Sequence, residues 1–172
     1  CGLHVTMSYN APDKQAMDAN QLKLAVLLGD KYLLSTFGRD GNSYAKSHMS
    51  KLKQAAEQLK ADPNNTKSIQ AIEEILRKGI TSQKFSSIHF KDQTDNDSGN
   101  KLIEFRIGGG RDYHTDFNKA AKAVLRYAVT MQAGYEKDMY QKDYAKALFR
   151  LINNLDKIDT KDIESAKDRF DD

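Results

Sequence analysis

The sequence predicts an α+β fold in which a small antiparallel sheet is packed by long helices. Two patterns carry that expectation. Three short segments, 3–9, 86–91 and 102–107, alternate apolar and polar residues as strands with one buried face do. Two long segments, 117–131 and 140–155, repeat apolar residues at helical spacing. No internal repeat or low-complexity segment suggests a second domain, so one α+β domain over 1–155, followed by a tail, is the economical reading.

In chain order, Leu3, Val5 and Met7 alternate with His4, Thr6 and Ser8, which predicts a first strand with His4 and Thr6 on one side. A turn is expected at Asn10-Ala11-Pro12-Asp13. From Asp18, the apolar set Leu22, Leu24, Ala25, Leu27, Leu28, Tyr32 and Leu33 predicts one mostly buried helix, closed at Gly38 to Gly41. Residues 44–61 and 65–78 have helical spacing and are separated by Asp62-Pro63-Asn64-Asn65, giving a helical hairpin or insertion over about 44–79. Ser86 to Lys91 reads as a short strand centred on Ile88 and Phe90. The polar tract Asp92 to Lys101 reads as the loop of a hairpin leading into the strand that carries Glu104. After Gly108-Gly109-Gly110, Phe117 to Met131 and Tyr140 to Leu155 mark the two long helices, and 156–172 is a charged, weakly helical tail.

Bulk properties narrow the function classes. A chain of 172 residues is large enough for a proper core. Its 27 basic and 24 acidic residues are interspersed for a net charge of +3, so no basic face or arm argues for nucleic acid. Mean hydropathy is −0.72, and no apolar run approaches the roughly 18 residues that a membrane span needs. The single cysteine, Cys1, excludes an internal disulfide and a cysteine-based zinc site. A chain opening on Cys1 without Met reads as a product of proteolysis. The other readings are a lipidated lipoprotein cysteine, disfavoured because a strand follows without a polar tether, and an N-terminal nucleophile. That nucleophile would need a base, and His4 lies three residues away on the opposite face of the strand.

The segment Leu102-Ile103-Glu104-Phe105-Arg106-Ile107-Gly108-Gly109-Gly110 holds the most chemistry. Alternation puts Glu104 and Arg106 on one face while Ile103, Phe105 and Ile107 enter the core. A carboxylate can hold a divalent cation, and a guanidinium beside it can hold a phosphate through two parallel hydrogen bonds. A solvated ion pair on an ordinary strand face satisfies the same spacing. The three glycines suit either a plain turn or a phosphate cradle, and match neither the Walker nor the Rossmann pattern. His48 and His114 have no partner at metal-ligand spacing, and Glu136, Asp138 and Asp143 read as a solvated helix end.

Three separated segments, in order, resemble the amidoligases, carboxylate-amine ligases of the glutamine synthetase fold. Cys1-Gly2-Leu3-His4-Val5-Thr6-Met7-Ser8 is similar to that group's Gly-x-His-[Val/Ile] strand. Lys84-Phe85-Ser86-Ser87-Ile88-His89 stands where a strand with spaced basic residues is found, and Ile103-Glu104-Phe105-Arg106 with its glycines stands where an Ile-Glu-Phe-Arg strand opens into a turn and a long helix. Asp143-Tyr144-Ala145-Lys146-Ala147-Leu148-Phe149 is similar to a segment of the tailed-phage variant. The likeness covers about residues 1–152 and implies a glutamine synthetase-like catalytic sheet.

By that resemblance, the expected cofactors are ATP and Mg2+ or Mn2+. His4 and Glu104 would bind the cation, and Arg106 the γ-phosphate. Lys84 and His89 would serve the phosphates and the acyl-phosphate intermediate, and Thr6 would contact the nucleotide. Lys84 and His89 depart from the arginines usual in glutamine synthetase, and Thr6 stands where a second histidine is frequent. The family's opening Gly-x-Glu-x-Glu strand is missing from residues 1–172, so the chain resembles a C-terminal half. The expected partner is an upstream fragment of the same precursor or another protein chain, pairing with an open sheet edge. Substrates would be a carboxylate and an amine on a peptide, a protein or a small molecule, with the chain cytoplasmic or virion-associated. The rival expectation is a non-enzymatic phage virion or accessory structural protein that keeps the fold after proteolytic maturation. A lipid-anchored binding protein is the third.

Overall fold

The computed structural model describes residues 2–9, 19–61, 68–80, 85–91 and 102–153. Their elements are β1 (Val5–Ser8), α1 (Gln21–Leu28), α2 (Asp30–Thr36), α3 (Met49–Ala61), α4 (Ile69–Arg77), β2 (Ile88–Lys91), β3 (Leu102–Phe105), α5 (Phe117–Tyr135) and α6 (Gln141–Asn153). The fold is α+β with a three-stranded antiparallel sheet in the order β1-β3-β2. The expected turn at 10–13, the break at 62–65, the loop at 92–101 and the tail at 156–172 lie outside the described residues, as do Cys1 and Lys84. No helix among the described residues is long and apolar enough to cross a membrane.

The strand alternation is realised in the packing. From Gly2 to Tyr9, exposed and half-buried residues alternate one by one. Ile88, Phe90, Ile103, Phe105 and Ile107 are buried, and they pack on Leu24 and Leu28 of α1, Leu33 and Leu34 of α2, and Tyr127 and Met131 of α5. Phe105 stacks on Tyr127 with ring centroids 4.5 Å apart, an offset aromatic contact that fixes the long helix across the centre strand.

A second apolar cluster lies on the helical side, where α3 and α4 supply Leu52, Ala56, Leu59 and Leu76, and α6 supplies Tyr144, Leu148 and Leu151. Leu22 of α1 belongs to this cluster while Leu24 belongs to the first, so α1 is walled on two sides. That explains why its apolar residues showed no single stripe.

Two boundaries differ from expectation. The predicted helix from Asp18 is two helices, because Gly29 adopts φ +65° and ends α1 in the left-handed conformation that glycine tolerates best. Asn20 opens α1 by accepting the Lys23 amide at 3.0 Å. The helix expected from residue 44 starts at Met49. Asp30, almost fully buried, competes for the preceding residues by accepting from the Ser47 hydroxyl at 2.7 Å and the His48 amide at 2.9 Å. Its second oxygen also accepts from the Ser87 hydroxyl at 2.5 Å. Lys46 is thereby held against Ser86 in a parallel bridge, with Lys46 N donating to Phe85 O and Ser87 N to Lys46 O, both at 2.8 Å. The buried His48 is placed by the same contacts, with Nε2 3.1 Å from Ile88 O.

Candidate functional site

Antiparallel register puts Thr6, Glu104 and His89 in one row across the sheet, because Glu104 is paired with Thr6 on one side and His89 on the other. Side chains two residues away along each strand share that face, which adds His4, Lys91 and Arg106. The result is a carboxylate surrounded by cationic and imidazole groups. Arg106 Nη2 donates to Glu104 Oε2 at 2.9 Å, Lys91 Nζ lies 3.3 Å from the same oxygen, and His89 Nδ1 lies 3.5 Å from it. Glu104 Oε1 lies 3.1 Å from His4 Nδ1.

Glu104 and Arg106 are the enclosed members, with side chains 8% and 11% exposed, whereas the His4 side chain is 48% exposed. Burial alone would push the Glu104 carboxyl up. The hydrogen bond and charge of Arg106, with Lys91 and His89 behind it, outweigh that effect and hold the carboxyl at about 2. Glu104 is therefore ionised at any physiological pH. Its negative charge faces two cationic side chains, those of Lys91 and Arg106. Arg106 brings the planar donor geometry that suits phosphate or carboxylate.

The residues expected from the sequence are thus brought together with one gap. His4, Thr6, His89, Glu104 and Arg106 share the face, and Lys84 falls outside the described residues. Thr6 is exposed beside Glu104. Lys91 is a member that the sequence reading missed. The signal was present, since Lys91 is two residues beyond His89 on the same strand.

Arg39 was also missed, and nothing local announces it. This buried guanidinium approaches the site from the far end of α2 and donates through Nη1 to Arg106 O at 2.8 Å, to Ile107 O at 3.1 Å and to Gly108 O. The glycines themselves are explained by backbone geometry and close approach. Gly109 and Gly110 have φ of +131° and +98°, and a Cβ on Gly110 would stand 2.7 Å from Phe37 O. A Cβ on Gly108 would press on the Leu3 side chain at 3.3 Å.

For a divalent cation, the donor set fits in part. Glu104 Oε1 and His4 Nδ1 are 3.1 Å apart, in hydrogen-bond contact with each other, and are the two donors of this face that could turn to one ion. No group of three His, Cys, Asp or Glu side chains able to hold a metal is found among the described residues. Glu104 and His4 would supply two ligands, and a phosphate-bearing substrate and water would supply others, as is usual for magnesium. Such an ion would supply charge neutralisation for a phosphoryl group. No protein-family model matches the chain, and no curated protein or solved structure matches it at a significant level.

Proposed function

We propose that this chain is the phosphate-handling part of an ATP-dependent carboxylate-amine ligase, resembling the C-terminal half of an amidoligase. The observation that carries the reading is Glu104 held ionised at the centre of a face bearing His4, His89, Lys91 and Arg106. Ligation of this type moves the γ-phosphoryl group of ATP to a carboxylate oxygen, releasing ADP. An amine nitrogen then attacks the acyl carbon, inorganic phosphate leaves, and the amine gives up a proton. Charge stabilisation dominates both steps. Arg106 and Lys91 bind and orient the phosphoryl oxygens, and His89 lies beside them. Glu104 and His4 hold the magnesium or manganese ion that accompanies the nucleotide, and Thr6 lines the nucleotide side. Lys84 is assigned to the phosphates by resemblance alone. The remaining acids and the amine site are assigned to a partner polypeptide, an upstream fragment of the same precursor or another chain.

A second reading rests on one specific feature. Both Glu104 oxygens are already engaged by this chain's own side chains, as they are in a structural ion-pair network, which suits a virion or accessory structural subunit.

Calorimetric titration with Mg-ATP separates the two, using protein purified with whatever polypeptide travels with it. The ligase reading expects magnesium-dependent binding that Glu104→Gln and Arg106→Met each weaken at least tenfold. Absence of nucleotide binding by that material leaves the structural reading standing.

A further inference from the structure

The ladder between β1 and β3 changes register as it leaves the site. Val5 is opposite Phe105, yet Gly2 is opposite Gly109, so the β3 side spends one residue more than the β1 side over the same stretch. An extra residue of this kind leaves backbone groups out of the ladder and bends the strand. Leu3 N reaches Gly108 O at 3.0 Å, and Arg106 N reaches Ser87 O at 2.8 Å. Three successive carbonyls on the bulged side, those of Arg106, Ile107 and Gly108, converge on the single nitrogen Arg39 Nη1.

Both terminal nitrogens of Arg39 also lie beside Gly2, with Nη1 3.5 Å from the point where a Cβ would stand there. The point where a Cβ would stand on Gly2 is 3.3 Å from Arg39 Nη2 and 3.2 Å from His4 Nε2. One guanidinium therefore touches the backbone from which Arg106 projects and packs beside Gly2 and His4, whose imidazole faces Glu104. The chain around Arg39 is itself pinned to the turn, since Phe37 O leaves no room for a side chain on Gly110.

We propose that Arg39 is the positioning residue of the cationic face: by holding the bulge and the Gly2 flank together, it sets the reach of both His4 and Arg106 toward Glu104. It acts through backbone and touches neither Glu104 nor any reacting atom. Positive charge alone does not accomplish this; the planar breadth of the guanidinium does, because Nη1 takes the carbonyls while both terminal nitrogens pack beside Gly2.

The test is Arg39→Lys in the full chain. Lysine keeps a charge and hydrogen-bond donors for the carbonyls but lacks the second nitrogen and the planar group that fill the space beside Gly2. The readout is nitrogen NMR of the Arg106 side chain, whose guanidinium signals are shifted and slowed by the bond to Glu104. Positioning by Arg39 expects those signals to move toward solvent-exposed arginine values in folded Arg39→Lys, and the His4 ring signals to move with them. A purely structural Arg39 expects a lower melting temperature with both sets unmoved, and that result overturns the proposal. Where Arg39→Lys does not fold, Gly2→Ala crowds the guanidinium without removing it, and unmoved Arg106 side-chain signals there overturn it equally. The inference rests on the proposed nucleotide site only for its consequence, a roughly tenfold loss of Mg-ATP affinity in Arg39→Lys. If the wild-type material binds no ATP, that function falls while the NMR result still decides the role of Arg39.

Discussion

Arg106 Nη2 donates to Glu104 Oε2 at 2.9 Å, joining two side chains that leave the same strand two residues apart. The bond has a cost in acid. Glu104 titrates at about 2 in the folded chain against an ordinary 4.5, so its ionisation supports folding fully above 4.5, and that support is lost as pH falls from 4.5 through about 2. Urea midpoints measured from pH 7 to pH 2 are expected to drop more steeply for the wild type than for Glu104→Gln. Parallel curves would show that the carboxylate is not coupled to folding.

Arg106→Ala removes the closest donor from an enclosed carboxylate. Lys91, His89 and His4 remain as partial substitutes, so a loss of about 2 kcal/mol is expected, in the range of hydrogen bonds to charged groups. Equilibrium unfolding at pH 7 checks this, and the deficit is expected to shrink toward pH 3 as the carboxylate, no longer held down by Arg106, protonates in the folded variant.

Asp30→Asn exchanges a carboxylate oxygen for an amide donor in a site where all three assigned partners are donors: the Ser47 hydroxyl, the His48 amide and the Ser87 hydroxyl. Charge-assisted bonds become neutral ones and one hydroxyl must turn from donor to acceptor or lose its bond, for about 2 kcal/mol in this buried place. Amide hydrogen exchange is expected to accelerate at Lys46 and Ser87, whose bridge Asp30 holds in place, ahead of residues in α5.

Among the glycines, replacement by alanine separates two costs. Gly38 has φ +63° with nothing within 4 Å of a Cβ, so Gly38→Ala is expected to cost about 1 kcal/mol, the conformational term alone. Gly110→Ala adds the collision with Phe37 O and is expected to cost at least about 2 kcal/mol. Equal melting temperatures for the two variants would remove the close approach as a reason for glycine at 110.

Where neighbours along the chain decide the outcome, the sequence was readable. Alternation located β1, β2 and β3 and sorted Ile103, Phe105 and Ile107 from Glu104 and Arg106, and helical spacing located α5 and α6. What it left out depends on distant partners. The start of α3 is set by Asp30, seventeen residues before Ser47, and the bulge after β3 is held by Arg39, sixty-seven residues before Arg106. Gly29 was a different failure, since glycine followed by Asp30 is a local stop-and-start signal that the strong apolar run obscured. Within the site, the pairing of Glu104 with Thr6 and His89 needed the register, which only the folded sheet supplies.

Helix α1 stands between two apolar clusters, sending Leu22 to one and Leu24 and Leu28 to the other. Melting of the helical side would strip α1 of one flank and expose apolar surface on a helix of only eight residues, too short to persist without packing. Loss of the sheet would do the same from the other flank. The two clusters therefore share one short helix, and the described residues are expected to unfold as a single cooperative unit, with sheet and helical signals lost at one temperature.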